Sequence, residues 1–153
     1  MTRACCIVLA SIVALLGACT PSKTDSSATR EQAQAIRAAL EADAAASAKR
    51  NQETKYISPS LAMTDYVVAL DAIDLGATTP AFEAAFIAHR DAWNATIGPL
   101  RQRSSERGEM HDMFDRLTAP SDPMHETFQR LIDEVWATWA DVEAAARAAG
   151  VKP

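Results

Sequence analysis

Three observations predict an all-α fold, an antiparallel four-helix-bundle-like domain. Large apolar residues recur at spacings of three and four, the period of a helix face. Proline and glycine punctuate the chain at helix-length intervals. No stretch combines period-two alternation with β-branched residues, so strands are not expected.

The first helix is expected from Thr29 to Glu53, with Thr29 and Gln32 spaced as a capping box. It is alanine-dominated, and Ile36 and Leu40 are its only large apolar anchors. Alanine favours helix but buries little, so thin packing or fraying towards Asn51 is expected. Arg37 and Glu41 lie one turn apart and suit a surface pair. The second helix starts at Ser58-Pro59, serine as cap and proline in the first turn, and runs to Gly76. Met63, Tyr66, Leu70 and Ile73, with Val67, form its core stripe.

Thr79-Pro80 opens the third helix by the same logic. Its stripe is Phe82, Phe86, His89, Trp93, Ile97 and Leu100, and Gly98-Pro99 predicts a kink or break. A short piece, Glu109 to Leu117, follows the polar run 101–107. The last helix follows the turn Pro120-Ser121-Asp122-Pro123 and ends at Gly150. Phe128, Ile132, Val135, Trp139, Val142 and Ala146 line one face, Leu131 and Trp136 widen it, and Glu143 and Arg147 suit a surface pair.

The start of the chain has a different character. Arg3 precedes an uncharged run, Ala4 to Ala18, that is apolar apart from Ser11. At about 15 residues it is short of the ~20 that span a bilayer as a helix. The run closes on Leu16-Gly17-Ala18-Cys19. This pattern resembles the lipobox of bacterial lipoproteins, with a type II signal peptide. The resemblance implies cleavage between Ala18 and Cys19, and diacylglycerol and further acylation (palmitate) on Cys19. More than one acyl chain anchors stably where a single chain is marginal.

The implied organisation is a signal peptide at 1–18, a lipidated cysteine and flexible linker at 19–28, and a helical domain at 29–153. Cys5 and Cys6 leave with the signal and Cys19 carries lipid, so no thiol chemistry or disulfide remains in the domain. The linker is polar and short, at most ~30 Å extended, which holds the domain near the membrane. Thr20, not aspartate, follows the cysteine. By resemblance to enterobacterial sorting this suggests the outer membrane, facing the periplasm. The net charge of −5, with no basic cluster, argues against nucleic acid and anionic lipid as partners. The partners expected are the membrane, through the lipid, and an envelope protein.

Candidate chemistry is sparse. His89 sits on the core stripe of the third helix; Asp71 or Asp74 would make it a base or a ligand, and ordinary core burial is the plainer expectation. Met110, His111, Met113 and Asp115, then Met124 and His125, group imidazole, thioether and carboxylate. Thioether with imidazole suits copper, and imidazole with carboxylate suits zinc or nickel. Packing and surface roles explain the same residues, methionine being an adaptable core filler. A haem held by His125 and Met63, or by His89 and a methionine, competes with the aromatic residues for core space. No cofactor is expected. No nucleophile elbow, zinc-protease helix, phosphate loop or dinucleotide fingerprint is present, so no enzyme is expected.

Residues 69–75 (ALDAIDL), the set Phe82, Phe86, His89 and Trp93, and Thr138-Trp139 with Val142-Glu143 resemble uncharacterised bacterial envelope proteins. That likeness makes His89, Trp93, Trp139 and Glu143 the first residues to test, beside Asp71 and Asp74. The function expected is a non-enzymatic helical binding or structural module of the envelope, presenting an apolar or aromatic patch. The alternative is a metal- or small-ligand-binding lipoprotein that uses the histidines, methionines and carboxylates named above.

Overall fold

The computed structural model describes the backbone from Lys23 and the side chains from Thr29, both to Pro153. The signal segment, the Ala18–Cys19 junction and the first linker residues lie outside the described residues. The fold is all-α, as expected. Helices α1 (Lys23–Glu53), α2 (Pro59–Asp71), α3 (Pro80–Arg101), α4 (Met110–Leu117) and α5 (His125–Ala148) form a helical bundle, and there is no strand among the described residues.

Helix α3 is the centre, packed between α2 and α5; α1 lies on α2, and α4 leans on α5. The stripes read from the sequence are the core. Phe82, Phe86, Phe128, Met63, Leu70 and Val142 are almost fully buried. Each such side chain contributes about 1.5–3 kcal/mol through apolar burial. Met110 and Met113 are buried with them, so α4 closes the core as well as connecting its neighbours.

Helix α1 begins at Lys23, ahead of the Thr29 start expected, so part of the expected linker is helical. After Pro21 no proline or glycine interrupts the chain there. Once the alanine-rich stretch has nucleated, each added residue costs little. The far end does not fray: Arg50 and Thr54 are buried, and Thr54 N–H donates to the Arg50 carbonyl. Small alanines allow close approach of α2, and a stacked arginine supplies the burial they lack.

Both proline-led starts are capped as read. Phe82 N–H donates to Thr79 Oγ1 at 3.2 Å, and Leu61 N–H donates to Ser58 Oγ at 3.4 Å. Thr79→Ala therefore lowers stability by about 1 kcal/mol. Urea unfolding measures this, with Thr79→Ser close to wild type as the control.

Helix α2 stops at Asp71, short of Gly76. Asp74 Oδ1 accepts Gly76 N–H at 2.9 Å, a local turn that competes with further helix. The break expected at Gly98-Pro99 does not occur, and α3 continues to Arg101. Pro99 lacks the N–H that would bond the Ala95 carbonyl, but it falls in the last turn with only Leu100 and Arg101 after it, so little helix is left to displace. Helix α5 ends at Ala148 and is closed by Gly150, φ +75°, with Val151 N–H on the Ala146 carbonyl and Gly150 N–H on the Arg147 carbonyl. This is a Schellman cap, and Val151 is buried beside it. The surface pair Arg147–Glu143 forms at 3.3 Å. Arg103 pairs with Asp122, tying the end of α3 to the turn before α5.

Candidate functional site

Along α1, Ala33, Ile36, Leu40, Asp43, Ser47 and Arg50 are spaced three and four apart and share one face, which Thr54 continues just past the helix end. Its first half is apolar and its second half polar. Asp43 and Arg50 are thereby carried into the interior, each 6% exposed. Tyr66 of α2 donates its hydroxyl to Asp43 Oδ1 at 2.6 Å. The Arg50 guanidinium lies 4.4 Å from the Tyr66 ring centre and 4.6 Å from that of Trp93 on α3. The two rings meet edge to face at 5.7 Å. A cation against aromatic rings is stabilised by their quadrupoles, more strongly when desolvated.

Burial pushes the Asp43 carboxyl up from its ordinary value, against the Tyr66 hydroxyl and the Arg50 charge, which pull it down. Burial pulls Arg50 down, opposed by Tyr66 and Asp43. Arg50 Nη2 donates to Ser47 Oγ at 3.0 Å and to Asn51 Oδ1 at 3.4 Å, while Nε and Nη1 are buried with no hydrogen-bond partner.

His89, one turn before Trp93, is 3% exposed. Trp93 Nε1–H donates to His89 Nε2 at 3.0 Å. An indole N–H only donates, so Nε2 is the acceptor. On the other side Nδ1 lies 3.1 Å from Thr138 Oγ1, whose hydroxyl is directed at the Glu134 and Val135 carbonyls. Thr138 is therefore the acceptor and Nδ1 carries the proton. Burial pulls the imidazole down to about 4, against an upward pull from the Val135 carbonyl. This ring is neutral and both nitrogens are engaged, so neither is open to a metal or to substrate. Asp71 instead pairs with Arg90 at 2.6 Å, and Asp74 caps Gly76.

The aromatic cluster opens into a cleft of about 810 Å³ lined by all five helices. Arg50 and Asp43 lie at its α1 side; Trp93, Phe114, Trp136 and Trp139 supply aromatic walls. All three tryptophans of the chain line it. Trp139 is half-buried, 5.1 Å from His89, and Trp136 is 59% exposed. The volume falls within the roughly 300–1,000 Å³ of small-molecule sites.

The other sequence candidates scatter. Met110 and Met113 are core, and Met124 packs against it. His111 is exposed, with Nε2 3.9 Å from Asp115 Oδ2, and both line the cleft. His125 begins α5 with Nδ1 3.1 Å from the Asp122 carbonyl, and lines a separate shallow depression. Glu143 is engaged by Arg147. Among the described residues no three His, Cys, Asp or Glu side chains group as metal ligands.

Asp43, Arg50 and Tyr66 are the site residues that sequence reasoning missed. The signal for two of them was present, in the continuation of the α1 stripe beyond Leu40. No family model, no curated protein and no solved structure matches the chain.

Proposed function

We propose that this chain is a lipid-anchored, non-enzymatic binding module of the bacterial envelope that takes a small molecule into the aromatic cleft. The carrying observation is the convergence of all three tryptophans and Phe114 on one opening of about 810 Å³. Aromatic walls with a few polar groups are the composition of a binding site. His89, the general-base candidate in the cleft, has both ring nitrogens hydrogen-bonded, which supports binding without turnover. Calorimetry with a neutral flat probe, 2-naphthamide, tests the cleft. The full chain in lipid nanodiscs should bind it above an empty-nanodisc reference. Ile132→Glu, which puts a charge into the wall, should abolish that heat. No binding to the wild-type protein sinks this reading.

The anchor rests on Leu16-Gly17-Ala18-Cys19, and Thr20 in place of an aspartate after it supports the outer membrane, facing the periplasm. Among the described residues no helix is long and apolar enough to cross a membrane. Cys19→Ser should abolish labelling by radioactive palmitate and leave full-length precursor. Unchanged processing of that variant removes the lipobox from the argument.

A second reading, docking onto an envelope protein, is favoured by exposed apolar side chains at α2. Tyr56 is 79% exposed, and Leu61 and Val68, two turns apart, are 50% and 63% exposed.

A further inference from the structure

We infer that the cleft takes a small organic carboxylate with a flat apolar body, its anionic end set against Arg50 beside Ser47 and Asn51. The inference rests on the cleft being a small-molecule site, and it names the ligand's chemistry.

Arg50 is the reason for the charge. A guanidinium has five N–H donors. Here only Nη2 has partners, both neutral, and one of them at 3.4 Å. Nε and Nη1 have none, in a residue only 6% exposed that lines the cleft. A buried donor without a partner is costly, and a hydrogen bond to a charged group is among the strongest available. Ser47 and Asn51 line the same side of the cleft, and each has a donor of its own to offer an oxyanion.

The acids near the cleft do not remove the demand. Asp43 is held by the Tyr66 hydroxyl and forms no ion pair with Arg50 within 4.0 Å. Asp115 and Asp133 are exposed at the rim, where water screens them. His111 at the rim is exposed, and His89 in the wall is neutral.

A cationic ligand is disfavoured by the same geometry. Arg50 already occupies the faces of Tyr66 and Trp93, and a second cation would meet a like charge. A dianion would exceed the single guanidinium and face Asp43. One negative charge fits. The body of the ligand is set by the remaining walls, Phe114, Trp136, Trp139 and Ile132, which favour a flat apolar group.

The test is a charge series on one ring system: 2-naphthoate, 2-naphthamide and 2-naphthylmethylammonium. Each is titrated calorimetrically into the full chain in nanodiscs, with empty nanodiscs as reference. The expected order is naphthoate tightest, by about tenfold or more over the amide, with the ammonium weakest. In Arg50→Met the naphthoate advantage should vanish while the amide still binds; Arg50→Lys should keep part of it. Naphthoate no tighter than the amide, or an advantage that survives Arg50→Met, overturns the inference. Tightest binding of the ammonium also overturns it. If Arg50→Met fails to fold, the wild-type series decides alone. Binding of the amide without charge preference leaves the cleft a binding site and removes only its anionic character. Binding of none of the three removes the small-molecule reading itself.

Discussion

Asp43→Ala should destabilise the domain by about 1–3 kcal/mol, the cost of leaving the buried Tyr66 hydroxyl without its acceptor. Asp43 and Arg50 share the inner face of α1, two turns apart, and both are nearly sealed from water. Removing the carboxylate strands the Tyr66 hydroxyl and takes a nearby negative charge away from the guanidinium. Asp43→Asn retains an acceptor for Tyr66 and should fall between Asp43→Ala and wild type. Arg50→Met should cost less than Asp43→Ala, because the carboxyl it exposes to burial can take up a proton while Tyr66 still donates to it. Asp43→Leu combined with Arg50→Met should recover only part of the loss, since it removes the buried charges but still leaves the Tyr66 hydroxyl without its acceptor. Urea unfolding at neutral pH measures all four. A loss below about 1 kcal/mol for Asp43→Ala would mean that the Tyr66 hydroxyl reaches water by a side-chain shift, and the argument from the burial of this cluster would fail.

Acidification from pH 6.5 to about pH 4 should remove about 3 kcal/mol of stability through His89 alone. The folded ring takes a proton only near about 4, against an ordinary value of 6.5. Between those values the unfolded chain binds more protons, so stability falls as pH falls. It is fully present above pH 6.5, and the loss is complete below about pH 4. The cause is burial of the ring, with the Arg50 charge acting in the same direction; the geometry agrees, since the Trp93 indole donates to Nε2. A protonated Nε2 would set donor against donor. Asp43 works in the opposite sense, because burial raises its carboxyl and acid then favours the folded state. The readout is therefore the difference between wild type and His89→Gln, both of which retain Asp43. Parallel stability curves for the two proteins over pH 4–7 would show that the ring is not held neutral as described.

The helices were legible because their signals are local. The stripes from Phe82 to Leu100 and from Phe128 to Ala146 face the core, although Trp93, Ile97, Ile132 and Trp139 in them are only half-buried and Trp136, read as widening the second, is exposed. The proline-led starts at Ser58 and Thr79 carry the caps their residue types favour. Helix ends were less legible, because they turn on competition. Asp74 stops α2 early, and Pro99 fails to stop α3, for reasons set by neighbours a few residues away. Ile36 and Leu40 were read as the only anchors of α1, which hid its polar continuation. A charge on a helix is usually solvated, so Asp43 and Arg50 drew no notice until the rings opposite them were in place.

By itself the sequence determined the all-α class, the capped starts of α2 and α3, much of the core and an acidic chain whose three cysteines all lie within its first 19 residues. Periodicity, capping and composition depend on residues within a few positions of one another. Only the tertiary structure decided that Trp93, Trp136 and Trp139 open onto one cleft, that His89 is closed by Trp93 and Thr138, and that Arg50 lies buried with two nitrogens unpartnered. Those facts depend on which helix faces come together, and a helical period states which residues share a face without stating what that face meets.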